Sequence, residues 1–258
     1  MNVRGTIRVP GDKSISHRAL MLAALASGAS TVRGILDSHD VRSTASVLRA
    51  FGVDVPALAP EMRLTGVGLH GLRAPGRDLD CGNSGTTTRL MAGVAAAQSF
   101  TSRFVGDASL SRRPMRRIIR PLEAMGARAH CERGDGLPMV VYGTMLRPVV
   151  WRTEVASAQV KSAILLAGLS AEVAVSVSEP FPSRDHTERM LAARGVKVRT
   201  VDGAIALEPV TALAAMDVDV PADPSSAAFF AALAAIADHG DLLLTDRERL
   251  QGPRDAET

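Results

Sequence analysis

Four stretches of this chain place small polar residues directly ahead of an apolar, helix-like run. The first is Gly11-Asp12-Lys13-Ser14-Ile15-Ser16-His17-Arg18, which leads into alanine- and leucine-rich sequence to about Ala26. The second is Asp80-Cys81-Gly82-Asn83-Ser84-Gly85-Thr86-Thr87-Thr88-Arg89, ahead of Leu90–Ala97. Ser157-Ala158-Gln159-Val160-Lys161-Ser162 precedes Ala163–Leu169, and Pro221-Ala222-Asp223-Pro224-Ser225-Ser226 opens Ala227–Ala237. Hydroxyl and glycine residues at a helix start leave backbone N–H groups facing outward at the positive end of the helix dipole. Such an end binds anions, and Lys13, Arg18 and Arg89 add fixed positive charge beside it. Plain N-capping by Ser and Asp explains any one copy. Four copies, two with an arginine a turn into the helix, point to anion binding.

Other candidates carry less. Cys81 lies in the second motif with no histidine near it, which suits a small packed thiol better than a nucleophile. Arg112-Arg113-Pro114 and Ser183-Arg184-Asp185-His186-Thr187-Glu188 each close a turn onto a helix start, where Arg113 and Arg184 can face a cleft and Asp185 or Thr187 can cap. Arg116, Arg117, Arg120 and Arg189 read as surface charge. The six histidines are scattered without metal-ligand spacing. No Gly-x-Ser-x-Gly elbow and no Gly-x-x-x-x-Gly-Lys-Ser/Thr loop is present, which excludes the usual hydrolase and kinase signatures.

A second recurrence sets the architecture. Gly52, Gly126 and Gly195 each end a helix and lead straight into a strand, as a left-handed C-terminal glycine does. They are spaced 74 and 69 residues apart, so the chain reads as a tandem array of units of roughly 70 residues. Each unit runs strand, helix, strand, helix, strand and usually one more strand. The units span Gly11 to about Ala74, Leu79 to Leu146, and Val150 to Pro209. Expected strands include Thr6–Val9, Ser30–Ile35, Val53–Val55, Met62–Thr65, Ser102–Gly106 and Val173–Ser178; expected second helices are Asp40–Phe51, Met115–Met125 and Thr187–Arg194. Pro114 is expected at a helix start. Packed with helices inward and sheets outward, the units give an α/β (α+β) lobe with quasi-threefold symmetry. A fourth unit has one helix and one strand, Asp241–Leu244, before the polar tail Asp246–Thr258. One helix and one strand cannot bury their own apolar face, so the array is expected to be incomplete or to lean on another chain.

The totals bound the class. The chain has 258 residues, 46% of them apolar and 22% charged, with a net charge of +3. That describes a globular protein with a substantial core. No apolar run is long enough for a membrane span, and the N-terminus lacks a signal-peptide pattern; the cytoplasm is the expected location. Two cysteines make no disulfide framework. Aromatic residues are 3%, too few for base stacking, so a small anionic substrate fits better than nucleic acid. Only Lys13, Lys161 and Lys197 are lysines, and two of these three lie in the helix-start motifs.

Taken together, the Lys13, Asn83-Ser84-Gly85, Arg113-Pro114-Met115, Ser157-Ala158-Gln159 and Ser183–Glu188 motifs resemble the 5-enolpyruvylshikimate-3-phosphate synthase family, the 3-phosphoshikimate 1-carboxyvinyltransferases. The resemblance runs in order to about Phe230. It implies transfer of the enolpyruvyl group of phosphoenolpyruvate to the 5-hydroxyl of shikimate 3-phosphate, with release of phosphate, in aromatic amino acid synthesis. It implies no metal or organic cofactor and a monomer. It also implies a fold of two lobes with three repeats each. Gly11 to about Asp217 is then the complete enolpyruvyl transferase-like lobe, and Met1–Pro10 and Val218–Thr258 belong to the other. By the same resemblance Lys13 is catalytic, touching both substrates and assisting proton transfer. Ser14, Arg18, Ser157, Ala158, Gln159 and Arg184 hold shikimate 3-phosphate. Asn83, Gly85, Arg113 and Gln159 hold phosphoenolpyruvate.

The departure is at the C-terminal side. The family's opposite lobe supplies an aspartate base and further cations, and this sequence ends before them; Leu250-Gln251-Gly252-Pro253-Arg254 only loosely resembles the family's Asn-Pro-Arg turn. The resemblance therefore implies the transferase but not turnover by these residues alone. The sister UDP-N-acetylglucosamine enolpyruvyl transferases are the enzymatic alternative, disfavoured by Ser183–Glu188 and by the lack of a loop cysteine after Arg113. A phosphate-ester-binding fragment without activity is the non-enzymatic one.

Overall fold

A computed structural model describes residues 1–245. Its elements in chain order are β1 (Asn2–Arg8), α1 (Lys13–Leu25), β2 (Ser27–Arg33), α2 (His39–Ala50) and β3 (Glu61–Val67). There follow β4 (Leu79–Asp80), α3 (Gly85–Ala96), β5 (Thr101–Val105), α4 (Arg116–Ala124), β6 (Arg128–Cys131) and β7 (Met139–Tyr142). The third group is β8 (Val149–Arg152), α5 (Ala158–Ser170), β9 (Val175–Ser178), α6 (His186–Ala192), β10 (Val198–Val201) and β11 (Ala204–Leu207). Last come β12 (Val218–Asp219), α7 (Pro224–Ala235) and β13 (His239–Thr245). The polar tail, with Leu250–Arg254, lies outside the described residues.

The repeat reading matches this order. In the second group β4 pairs with β5 in parallel across α3, and β7 and β6 extend the sheet antiparallel. The third group repeats the plan with β8, β9, β11 and β10 around α5. Beyond Arg18, Arg89 and Ser162, helices α1, α3 and α5 are apolar on every face, so each must be surrounded. From Ser16 to Leu25, from Thr87 to Ala96 and from Val160 to Ser170 they are buried. Close approach of α3 to α5 depends on Gly93, where a Cβ would lie 2.2 Å from the Ala163 carbonyl oxygen. The three sheets lie outside this helical centre, with α2, α4 and α6 as amphipathic companions.

The first group breaks the pattern in an informative way. Its leading strand β1 does not pair with β2 but runs parallel to β13, from Asn2 opposite His239 to Arg8 opposite Thr245. The vacant place beside β2 is taken by β12, with Val218 opposite Val32. Thus β1 and β12 have exchanged sheets, and the paired strand positions reach Asp219, two residues past Asp217. The two crossing segments are tied together where they pass: the Asp12 N–H donates to the Pro221 carbonyl at 2.7 Å, and the Asp223 N–H to that of Pro10 at 2.9 Å.

Several local expectations are corrected. Val53–Val55 is not a strand; both valines are buried, but the backbone turns, with the Val55 N–H donating to the Val53 carbonyl. Helices α3 and α5 begin at Gly85 and Ala158, earlier than the apolar runs, because Ser84 and Ser157 cap them. Pro114 precedes α4 by two residues, and Met115 is the capping residue. Asp185 is at the N-cap position of α6 without a side-chain capping bond.

Helix α7 is apolar but has no buried residue; Phe229 is 78% and Ile236 77% exposed.

Candidate active site

The N-termini of α1, α3, α5 and α7 open on one cavity of about 530 Å³. Each has a side-chain cap. Asp12 accepts from the Ile15 N–H at 2.8 Å, Ser84 from Thr87 at 3.1 Å, Ser157 from Val160 at 3.5 Å, and Asp223 from Ser225 at 2.8 Å. Capping and anion binding are therefore not alternatives here: the caps order the first turns whose positive ends converge.

Lys13, Ser14 and Arg18 line the cavity from α1, Gly85 from α3, and Ala158 and Gln159 from α5; Arg113 and Arg184 join them from turns. Lys13 Nζ is 3.1 Å from Asp40 Oδ2 and is half exposed. Arg18 is 3% exposed and every part of its fork is held. Its Nε donates to Thr187 Oγ1 at 2.6 Å, Nη1 to Ser14 Oγ at 2.7 Å, and Nη2 to Ser162 Oγ at 2.8 Å. All three partners are neutral hydroxyls. Burial, with Arg184 nearby, lowers its pKa to about 10 against the pull of Glu188 and Asp12. Arg18 is charged at neutral pH, and a ligand anion would meet a guanidinium already oriented.

Two other expected sites are placed differently. Asn83 lies outside this cavity, on a neighbouring one of about 620 Å³, and reaches the first through Arg113, whose Nη2 donates to Asn83 Oδ1 at 2.5 Å. Asn83 Nδ2 in turn donates to Asp107 Oδ2 at 2.6 Å. Ser157 is also outside the lining; its hydroxyl caps α5 and its N–H donates to Glu179 Oε1 at 2.7 Å.

The extra basic residues of the motifs are corrected too. Arg89 does not line the cavity: its Nη1 donates to Gln159 Oε1 at 2.7 Å, while Gln159 Nε2 donates to Thr86 Oγ1 at 3.0 Å. It orients Gln159 and remains charged, although burial beside Arg117 and Arg113 lowers its pKa to about 10. Lys161 is buried and paired with Glu179 and Glu188. A side chain that must stay inside the helix cluster cannot reach the cavity. Cys81 is fully buried, and burial pushes its thiol up to about 12.

Sequence reasoning missed the groups that arrive from far along the chain. Asp40 meets Lys13, and Phe229 walls the side facing α7 beside Ser225 and Ser226, which the fourth helix-start motif had singled out. His17 sits behind Lys13, its Nδ1 2.6 Å from Thr44 Oγ1, which is 2.7 Å from Thr87 Oγ1. His186 Nδ1 lies 3.1 Å from Ser14 Oγ. Among the described residues no three His, Cys, Asp or Glu side chains cluster as metal ligands, and no helix is long and apolar enough to cross a membrane.

A family model described as EPSP synthase (3-phosphoshikimate 1-carboxyvinyltransferase) matches residues 1–253. The chain belongs to the EPSP synthase family. A 3-phosphoshikimate 1-carboxyvinyltransferase of Alkalilimnicola ehrlichii is 52% identical over 245 residues, covering 94% of this chain and 55% of that protein. One of Methylococcus capsulatus is 48% identical, covering 94% and 56%. The solved EPSP synthase of Acinetobacter baumannii superposes with a TM-score of 0.85 at 46% identity, covering 92% of this chain and 54% of that one. The chain spans about half the length of the curated relatives it matches. The likeness confirms the mixed α/β lobe, and these relatives carry the name of the shikimate enzyme, not of its UDP-sugar sister.

Proposed function

We propose that this chain carries the phosphate-ester side of an EPSP synthase site. The reaction is enolpyruvyl transfer from phosphoenolpyruvate to the 5-hydroxyl of shikimate 3-phosphate. In this reading Gly11–Asp217, with β12 completing its first sheet, is one whole lobe, and Met1–Pro10 with the segment from α7 onward belongs to the other. Ser14, Arg18, Ala158, Gln159 and Arg184 hold shikimate 3-phosphate, with Ser157 serving them as the cap of α5, and Gly85, Arg113 and Gln159 hold phosphoenolpyruvate. Asn83 acts by steering Arg113. The reading gives the protein a cytoplasmic, monomeric working form that needs neither nucleic acid nor a cofactor.

The observation that carries it is the convergence of capped helix starts on one cavity whose cations are Lys13, Arg18, Arg113 and Arg184. Two phosphates and two carboxylates need that density of donors. The chemistry needs it again later. The 5-hydroxyl gives up its proton and its oxygen bonds to C2 of phosphoenolpyruvate as C3 gains a proton, which gives a tetrahedral adduct. The C2–O bond to phosphate then breaks and C3 gives the proton up. Charge on the adduct and on the leaving phosphate is stabilised by cations that are already oriented. Lys13, at the cavity edge beside Asp40, is suited to proton transfer as well as to charge.

The test is titration calorimetry of the 258-residue chain with shikimate 3-phosphate, beside a phosphate-release assay. Saturable binding is expected, weakened at least tenfold by Arg184→Ala, as loss of a charge-assisted contact predicts. No phosphate release is expected from a chain with half the length of its relatives. Absence of binding, or an Arg184→Ala variant with unchanged affinity, would refute the assignment.

A further inference from the structure

Arg184 and the two side chains that meet α1, His186 and Thr187, all lie on the segment Glu179–Glu188. Both ends of that segment converge on one buried ammonium. Lys161 Nζ is 2.9 Å from Glu179 Oε2 and 2.7 Å from Glu188 Oε1, and the three side chains are 3%, 6% and 9% exposed. The Glu179 carboxylate accepts two further bonds: from the Ser157 N–H to Oε1 at 2.7 Å, and from Ser183 Oγ to Oε2 at 2.6 Å. A single carboxylate thus joins the cap of α5 to the residue immediately before Arg184.

Stability alone does not account for such an arrangement. A buried ion triad repays its desolvation only with good geometry, and apolar residues of the same volume would serve a core as well. What the triad adds is direction. Arg184 is itself exposed and among the described residues makes one long bond, Nη2 to Ser225 Oγ at 3.4 Å, so these contacts fix it poorly. Its backbone is fixed one residue earlier. Burial works to raise the Glu179 pKa, but the bonds from Ser183, Lys161 and the Ser157 N–H outweigh it and hold the group below the ordinary glutamate range. Glu179 is therefore ionised at neutral pH, as the clamp requires. Neither Glu179 nor Ser183 lines the cavity.

We propose that Glu179 is a positioning residue: through Ser183 and the Ser157 N–H it fixes the backbone that aims Arg184 into the cavity, with Lys161 as the buried counter-cation. This rests on the reading of Arg184 as a phosphate-ester ligand.

A double-mutant cycle on the 258-residue chain tests it, with shikimate 3-phosphate affinity as the readout. Glu179→Gln is expected to weaken binding about tenfold, and less than about twofold when Arg184 is already alanine, since residues acting through one another are non-additive. A merely structural role would give the same loss in both backgrounds, and that result, or no loss at all, overturns the proposal. Hydrogen exchange of the ligand-free chain is a second arm that does not depend on the substrate. Amides of Phe181, Ser183, Arg184, Asp185 and Ser157 should exchange faster in both Glu179→Gln and Ser183→Ala, with the α3 amides unchanged. Unaltered exchange in that segment overturns the clamp, as does a uniform rise through the helices. If Arg184→Ala leaves affinity intact, the substrate reading fails and the exchange arm alone decides Glu179. Should Glu179→Gln not fold, Ser183→Ala, which removes one arm of the clamp, replaces it in both experiments.

Discussion

His17 should make this protein acid-sensitive by a calculable amount. The imidazole is fully buried between α1, α2 and α3, with its Nδ1 against Thr44 and no partner for Nε2. Thr87 Oγ1 donates to Ser84, so a continuous chain of hydroxyl donors requires Thr44 to donate to Thr87 and His17 Nδ1–H to donate to Thr44. Protonation would put a charge on Nε2, a buried atom without a partner among the described residues. Burial accordingly lowers the pKa from 6.5 to about 3, with Arg18 and Lys13 adding to the effect and Asp40 opposing it. In the unfolded chain the same group titrates near its ordinary value. Between the two values the unfolded state binds the extra proton, so folding stability falls as pH falls through that window. At about 1.36 kcal/mol per pH unit, the loss between pH 7 and pH 5 is about 2 kcal/mol. It grows to about 3 kcal/mol by pH 4 and levels off near pH 3. His17→Asn keeps a nitrogen donor beside Thr44 and removes the titrating ring. Urea unfolding of both proteins at pH 7 and pH 5 measures the difference. The partly buried His186 also has a lowered pKa, mainly from desolvation, and contributes to both proteins alike. The wild type should lose about 2 kcal/mol more than the variant across that interval. Parallel losses in the two would show that His17 is not the neutral, desolvated group described here.

Gly93→Ala should destabilise the lobe by about 2 kcal/mol or more, because its Cβ would meet backbone that cannot yield. Gly76→Ala, with nothing within 4 Å of the added methyl, is the control, and equal urea midpoints for the two would refute the close approach of α3 to α5. At Gly85 the added Cβ would lie 2.7 Å from Arg89 Nη1 and 3.3 Å from Arg113 Nη1, both flexible ends. Gly85→Ala should therefore fold, yet in a full-length enzyme built on this lobe it should raise KM for phosphoenolpyruvate more than for shikimate 3-phosphate; equal changes would assign the glycine to the turn alone. In the same enzyme Lys13→Met should lower kcat by roughly 100- to 1000-fold, the worth of one oriented transition-state donor. Turnover within about threefold of wild type would remove Lys13 from the chemistry.

The sequence determined by itself whatever depends on neighbours along the chain. Gly52, Gly126 and Gly195 marked the repeat because a left-handed helix end favours glycine wherever it occurs. Asp12, Ser84, Ser157 and Asp223 marked the helix starts because a cap reaches only its own first turn. The burial of α1, α3 and α5 was legible because a helix apolar on every face must be surrounded. The motif residues that line the cavity followed from those starts. Tertiary structure alone decided which cations face the cavity. Arg18 and Arg89 each stand seven residues after their motif's glycine but six and five after their caps, and one lines the cavity while the other turns to Gln159. Lys161 turns inward because Glu179 and Glu188, distant in sequence, meet it in the core. The exchange of β1 with β12 was equally hidden, since the strand partners lie 237 residues apart for β1 with β13 and 186 apart for β2 with β12. Local sequence fixes a backbone's conformation; the direction of a long charged side chain depends on counter-charges that only folding brings near.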